Sequence, residues 1–153
     1  MKLKSSIVYA IILILVVAVF GGFYIYKEYN RTSENLVDVK ADFSVLAINL
    51  LSEFITNDSI ATQKYLGKIV EVDGIIKEIT RDENGSFSIS IGDTLSMSSV
   101  RCRLDSSENE KVSFLKRRAV LLIKGSCTGF MADEFGIGSD VLLDRCVLPA
   151  NKN

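Results

Sequence analysis

"KIVEVDGIIKEI", residues 68–79, decides how this chain is read. Val70 and Val72 alternate with Glu71 and Asp73, the two-residue rhythm of a strand with one buried face. Gly74 interrupts that rhythm, and a glycine inside a strand marks a bulge or a sharp bend. A first strand that bends at its middle suits a small closed barrel. The rhythm returns downstream. "SFSISIG", residues 86–92, sets Phe87, Ile89 and Ile91 on one face and Ser86, Ser88 and Ser90 on the other. "SVRCRL", residues 99–104, turns Val100, Cys102 and Leu104 inward and Arg101 and Arg103 outward. "RDENGS", residues 81–86, joins the first two runs as a hairpin turn, because Asn84-Gly85 tolerates positive φ.

After "SVRCRL" comes a polar connection with helical character, "SSENEKVSFLKRR", whose inward contacts are expected at Val112 and Leu115. "AVLLIKGSCTGF" (119–130) and "DVLLDRCVL" (140–148) are the fourth and fifth strands, separated by the glycine-bearing loop 131–139. Three strands, a connection with a helix, then two strands is the order of an OB fold, a five-stranded Greek-key barrel. Another small barrel or sandwich is the alternative, since strand pairing is invisible in one sequence. The expected class is therefore mainly β, with the barrel at 66–149 and a tail at 150–153.

Before the barrel, "SENLVDVKADFSVLAINLLSEFITND" (33–58) reads as an amphipathic helix. Leu36, Val39, Phe43, Leu46, Leu50 and Phe54 recur every three or four residues. Asp58 is expected to cap a second short helix that Gly67 ends, giving a helical segment over 33–65. The apolar stripe can pack on its own domain or pair with another membrane protein.

Residues 7–26, "IVYAIILILVVAVFGGFYIY", run twenty residues without a charge. At about 1.5 Å per residue they can cross a hydrocarbon core of about 30 Å. A cleaved secretory signal is the rival, but its apolar region is usually about 7–15 residues long and followed by small residues. Lys2 and Lys4 precede the span, and Lys27 and Arg31 follow it. The expectation is a single-pass anchor within 1–30, with the N-terminus cytoplasmic and the domain outside.

Charge excludes little. From residue 65 onward there are 12 Lys and Arg against 13 Asp and Glu, so the balance gives nucleic acid no particular support. Histidine is absent, which removes the commonest general base and the commonest metal ligand. Cys127, between Gly125 and Gly129, therefore lacks the usual partner of a cysteine nucleophile. The three cysteines stand too far apart for a metal-binding C-x-x-C. No enzyme, metal or cofactor is expected. If residue numbers summing to about 273 face each other across the last hairpin, Cys127 meets Cys146 in a candidate disulfide. Cys102 is the rival partner of Cys146, and three reduced core thiols are the plain alternative. The outward face of strands two and three, where OB folds take ligands, offers Ser86, Ser88, Ser90, Arg101 and Arg103. It has no aromatic platform for stacking bases. "KRR" at 116–118 is the sole basic cluster, read as a solvated connection or a contact for anionic lipid.

Several of these stretches resemble the OB-fold family of small bacterial envelope proteins similar to anticodon-binding domains. The residues that carry the likeness are Tyr65, Gly67, Lys68, Val70, Val72 and Gly74 in the first strand. Val100 to Cys102, Lys124 to Gly129 and Asp144 to Cys146 carry it in the third, fourth and fifth. The resemblance implies an OB barrel and membrane or lipid attachment, but no catalytic residue. No cysteine stands near the N-terminus for lipid attachment, so the apolar helix is expected to be the anchor. The functional expectation is an extracytoplasmic binding module for an envelope protein or glycan, presenting the serine–arginine face or the loop 131–139. The alternative is an assembly protein that pairs through the helix 36–54.

Overall fold

The computed structural model describes residues 21–22, 36–132 and 137–148. Gly21 and Gly22 are helical; the rest of the expected span 7–26, the tail 150–153 and loop residues 133–136 lie outside the described residues. Among the described residues, no helix is long and apolar enough to cross a membrane.

The described residues form six strands: β1 (Phe43–Leu46), β2 (Ile69–Arg81), β3 (Phe87–Ile91), β4 (Ser99–Leu104), β5 (Val120–Met131) and β6 (Asp140–Val147). Five of them close a barrel in the order β2-β3-β4-β6-β5, with β5 returning to β2. All neighbours in the barrel are antiparallel except β4 and β6, which run parallel. That is the OB-type arrangement expected from the strand order.

Closure depends on β2 changing partners. Ile69–Ile75 pair with β5, and Ile76–Arg81 pair with β3, with a bulge between Ile76 and Glu78. Gly74 sits at the changeover. A Cβ there would stand 2.9 Å from the Cβ of Ala47, so the missing side chain lets the helix start against the strand.

The segment before the barrel departs from the expected continuous helix. Residues 43–46 form β1, paired in parallel with Val70–Asp73 of β2. Helix α1 is confined to Ala47–Thr56 and is followed by α2, Asp58–Tyr65. The cause is a non-local clamp at Asp42. Its N–H donates to the Ile69 carbonyl at 2.8 Å, and its carboxylate accepts from the Ile69 N–H at 2.9 Å. Those bonds line up the next four residues along β2, where Phe43 and Val45 pack on the core and Leu46 turns to solvent. The buried face of α1 is Ala47, Leu50, Leu51 and Phe54. Leu50 and Phe54 were thus placed correctly in the stripe, and Leu46 was not. The cap of α2 is Asn57, whose side chain accepts from the Ile60 N–H at 3.1 Å; Asp58 is the first helical residue. Gly67, at φ +72°, follows the end of α2 as expected.

The core joins these layers through aromatic contacts. Phe54 stacks on Phe130 of β5 at 5.1 Å between ring centroids, and Phe43 meets Tyr65 edge-on at 4.9 Å. Such pairs contribute about 0.5–1.5 kcal/mol beyond their buried area. The polar connection forms a 3-10 turn, Ser106–Glu108, and one turn of helix, α3 (Asn109–Val112). Val112 is buried and Leu115 half-buried, as expected. Glu108 is buried too, accepting from Lys111 Nζ at 2.9 Å and from the Leu148 N–H at 3.1 Å.

The last hairpin does not keep the simple register. Two irregularities shift it, an extra residue on β6 opposite the step from Lys124 to Ser126 and an extra residue on β5 between Cys127 and Gly129. Cys127 is opposite Leu143 rather than Cys146. All three cysteines are buried free thiols.

Candidate functional site

Strands β3 and β4 place four of the five predicted site residues together. Ser88 pairs across the sheet with Arg103, and Ser90 with Arg101. Ser86 does not join them. It precedes β3 in the hairpin turn, where its N–H donates to the Asp82 carboxylate at 2.8 Å.

The two arginines are not equally available. Arg103 is gripped by Asp144 of β6, with Nε at 2.8 Å from one carboxylate oxygen and a terminal nitrogen at 3.1 Å from the other. That fork raises its guanidinium above the ordinary value and occupies its best donors. Arg101 reaches Asp140 with a single nitrogen at 2.6 Å. The other oxygen of Asp140 accepts from the N–H and hydroxyl of Ser99, at 3.1 and 2.7 Å. Asp140 and Asp144 carry no predicted role in the sequence reading, because only the parallel β4–β6 pairing brings them beside the arginines.

Beside this face lies an open groove of about 750 Å³. Lys77, Ser90, Arg101, Arg117, Arg118 and Asp140 are among its lining residues, and none of those lining it is aromatic. A smaller cavity of about 250 Å³ holds Ser88 and Arg103 with Asp144, and Arg101 borders both. Lys77 builds the groove wall. Its ammonium donates to the carbonyls of Ser96 and Ser98 at 2.6 and 2.8 Å, tying down the β3–β4 loop. Burial pushes its pKa below the ordinary value. Arg117 donates from Nε to the Lys77 carbonyl at 3.0 Å. Arg118 follows with a left-handed backbone, φ 68°, its N–H bonded to the Ile76 carbonyl at 2.8 Å. Among the described residues, neither arginine forms an ion pair with a carboxylate.

Among the described residues, the groove can therefore offer an anion two guanidinium groups without a carboxylate partner beside a third that is only singly engaged. Lys77, Arg117 and Arg118 were missed as site residues. The "KRR" cluster was visible in the sequence, but its landing place beside β3 and β4 follows from the topology. The loop 131–139, also an expected contact, is only partly described.

Cys127 answers to packing. It is buried against the inner wall, and burial raises its thiol pKa, the reverse of what a nucleophile needs. Among the described residues, no group of three or more His, Cys, Asp or Glu is placed to hold a metal ion.

Comparison with solved structures supports the same fold. A presumed nucleic acid-binding lipoprotein from Klebsiella pneumoniae subsp. pneumoniae MGH 78578 superposes with a TM-score of 0.54 at 23% identity. The match covers 69% of this chain and 91% of that one. Asparaginyl-tRNA synthetase from Entamoeba histolytica matches at a TM-score of 0.40 and 18% identity, over 56% of this chain and 22% of the synthetase. A search of curated proteins found no match. The family model tRNA_anti-like matches residues 1–141, which takes in β1 to β5 and the first two residues of β6, and the chain belongs to that family.

Proposed function

We propose that this protein is a membrane-anchored binding module whose OB barrel holds an anionic ligand in the groove between β3, β4 and the loop leading into β5. The apolar run 7–26 is the anchor, the N-terminus lies in the cytoplasm, and the barrel works outside it. The observation that carries the reading is the set of Arg101, Arg117 and Arg118 on one open groove, with Arg117 and Arg118 free of carboxylate partners among the described residues. Guanidinium groups match carboxylate and phosphate geometry, and the serines beside them suit hydroxyl-rich ligands. An acidic envelope glycan is the ligand class that uses both. The assembly alternative has less to work with, since Leu50 and Phe54 of the expected pairing face are spent on the protein's own core.

The test is titration of the detergent-solubilised full chain with acidic and neutral oligosaccharides by calorimetry. Arg117→Ala with Arg118→Ala should weaken acidic binding at least tenfold, and Arg103→Ala, already occupied by Asp144, should change it less than threefold. Equal binding of neutral sugars, or no loss in the double variant, overturns the reading. The name of the Klebsiella relative favours a second reading, nucleic acid. Its arm is a single-stranded oligonucleotide titrated at several salt concentrations. Phosphate contacts would give an affinity falling steeply with salt, against a groove that lacks a stacking ring.

A further inference from the structure

Cys146 enters the core because β6 breaks its own alternation. Val141 and Leu143 point inward, so the two-residue rhythm would next bring Arg145 into the barrel. Instead β6 spends an extra residue between its pairings with Cys102 and Leu104 of β4. Arg145 takes the left-handed φ of 50° and stays exposed, and Cys146 turns inward with none of its surface accessible. A positive φ at an arginine is costly, so the surrounding fold must gain from the placement.

What the placement gains is a partner. Cys102 pairs with Leu143 one step back along the same two strands, and it too is wholly buried. Burial first, and then the Cys102 thiol beside it, push the Cys146 thiol well above its ordinary pKa, while Cys102 itself donates to the Val100 carbonyl at 3.9 Å. On the facing strand, Gly125 leaves room for the Cys146 sulfur: a Cβ at that position would run into Sγ. The bulge, the strained arginine and the missing side chain converge on one pair of sulfurs. Cys127 takes no part, being in register with Leu143.

We propose that Cys102 and Cys146 form an internal disulfide that ties β4 to β6, closing a loop of about 44 residues, and that Cys127 stays a free thiol. The oxidant is a small-molecule or protein disulfide. Each cysteine gives up its proton, one Cys–S–S–Cys bond forms, and the two electrons reduce the oxidant's disulfide to two thiols. Both sulfurs are inaccessible in the native fold, so the exchange belongs to the stage before β6, the last strand, docks. Once the strand is home, the same burial shields the bond from reductants.

The check is to refold the detergent-solubilised full chain in glutathione disulfide, then map peptides without reduction. The expected product links the peptide of Cys102 to that of Cys146, with Cys127 alkylated only after denaturation. Melting should rise by roughly 5–15 °C over the reduced protein. Cys127→Ala should keep both the link and the rise; Cys102→Ala should lose both. Three free thiols in a refolded chain of native circular dichroism, or a bridge that includes Cys127, would overturn the proposal. Because mapping the unaltered chain needs no variant, a substitution that fails to fold does not leave the question open.

Discussion

Lys124 is the residue whose loss tests the architecture most directly. It sits in β5 with only 6% of its surface exposed, and its ammonium donates to the carbonyls of Val37 and Val39 at 3.0 and 2.7 Å. It is thus the rivet between the chain leading into β1 and the barrel wall. Lys124→Met keeps the length and apolar bulk of the stem and removes the donors. Hydrogen bonds from charged donors contribute about 1.5–3 kcal/mol each, so the gross loss is about 3–6 kcal/mol. Two effects reduce it. The ammonium's burial carries a desolvation cost that methionine does not, and Val37 and Val39 are only half-buried, so water can reach their carbonyls. A net loss of about 1–3 kcal/mol is expected. At about 4 °C per kcal/mol for a domain of this size, melting should fall by roughly 4–12 °C. Amide hydrogen exchange should also quicken at residues 36–46 before it does in β3 or β4, because the rivet holds only that segment. A melting point within about 1 °C of the unaltered protein, with exchange at 36–46 unchanged, would refute the assignment.

Two further outcomes follow from single groups. Glu53 accepts from Lys64 at 2.8 Å and from the Tyr65 hydroxyl at 3.1 Å, and the bond from Lys64 is the main reason its pKa lies below the ordinary 4.5. A depressed carboxylate pKa adds stability that is fully present above 4.5 and is lost as pH falls through the folded value. Glu53→Gln should therefore lower the melting temperature slightly at neutral pH, flatten the acid limb of the profile below about pH 5, and match the unaltered protein at the acid end. Arg118→Gly should remove the cost of φ 68° and raise stability by about 0.5–1 kcal/mol while weakening the groove's hold on anions. Paired thermal melts and titrations show whether stability and binding move in opposite directions.

The middle of the barrel was legible because β3 and β4 keep a period of two along their length. "SVRCRL" coincides with β4 residue for residue, and Phe87–Ile91 lies within the predicted second run. β1 was not legible. Phe43-Ser44-Val45-Leu46 is too short for its alternation to outweigh the Leu46, Leu50, Phe54 spacing that continues into a real helix. What settles it is Asp42 bonding Ile69, 27 residues away. The cysteine register failed for a related reason. Each bulge shifts the pairing by a residue, and the last hairpin has two of them, one on each strand; Gly125 and Gly129 hinted at irregularity but could not fix its size. In the candidate site, cross-strand neighbours such as Ser90 and Arg101 follow from parity alone. Lys77 and Arg117 meet across 40 positions, which periodicity does not encode.

β1 also decides how the molecule treats copies of itself. It covers the edge of β2 at Val70–Asp73, where backbone groups would otherwise face outward unpaired. A chain begun after Leu46 would expose a ready template for any extended segment. A chain whose 43–46 stretch comes loose could lend it to a neighbour and borrow the neighbour's in return. Domain swapping through β1 would use only bonds the monomer already makes, so the four-residue strand guards against aggregation and is also the natural point of exchange.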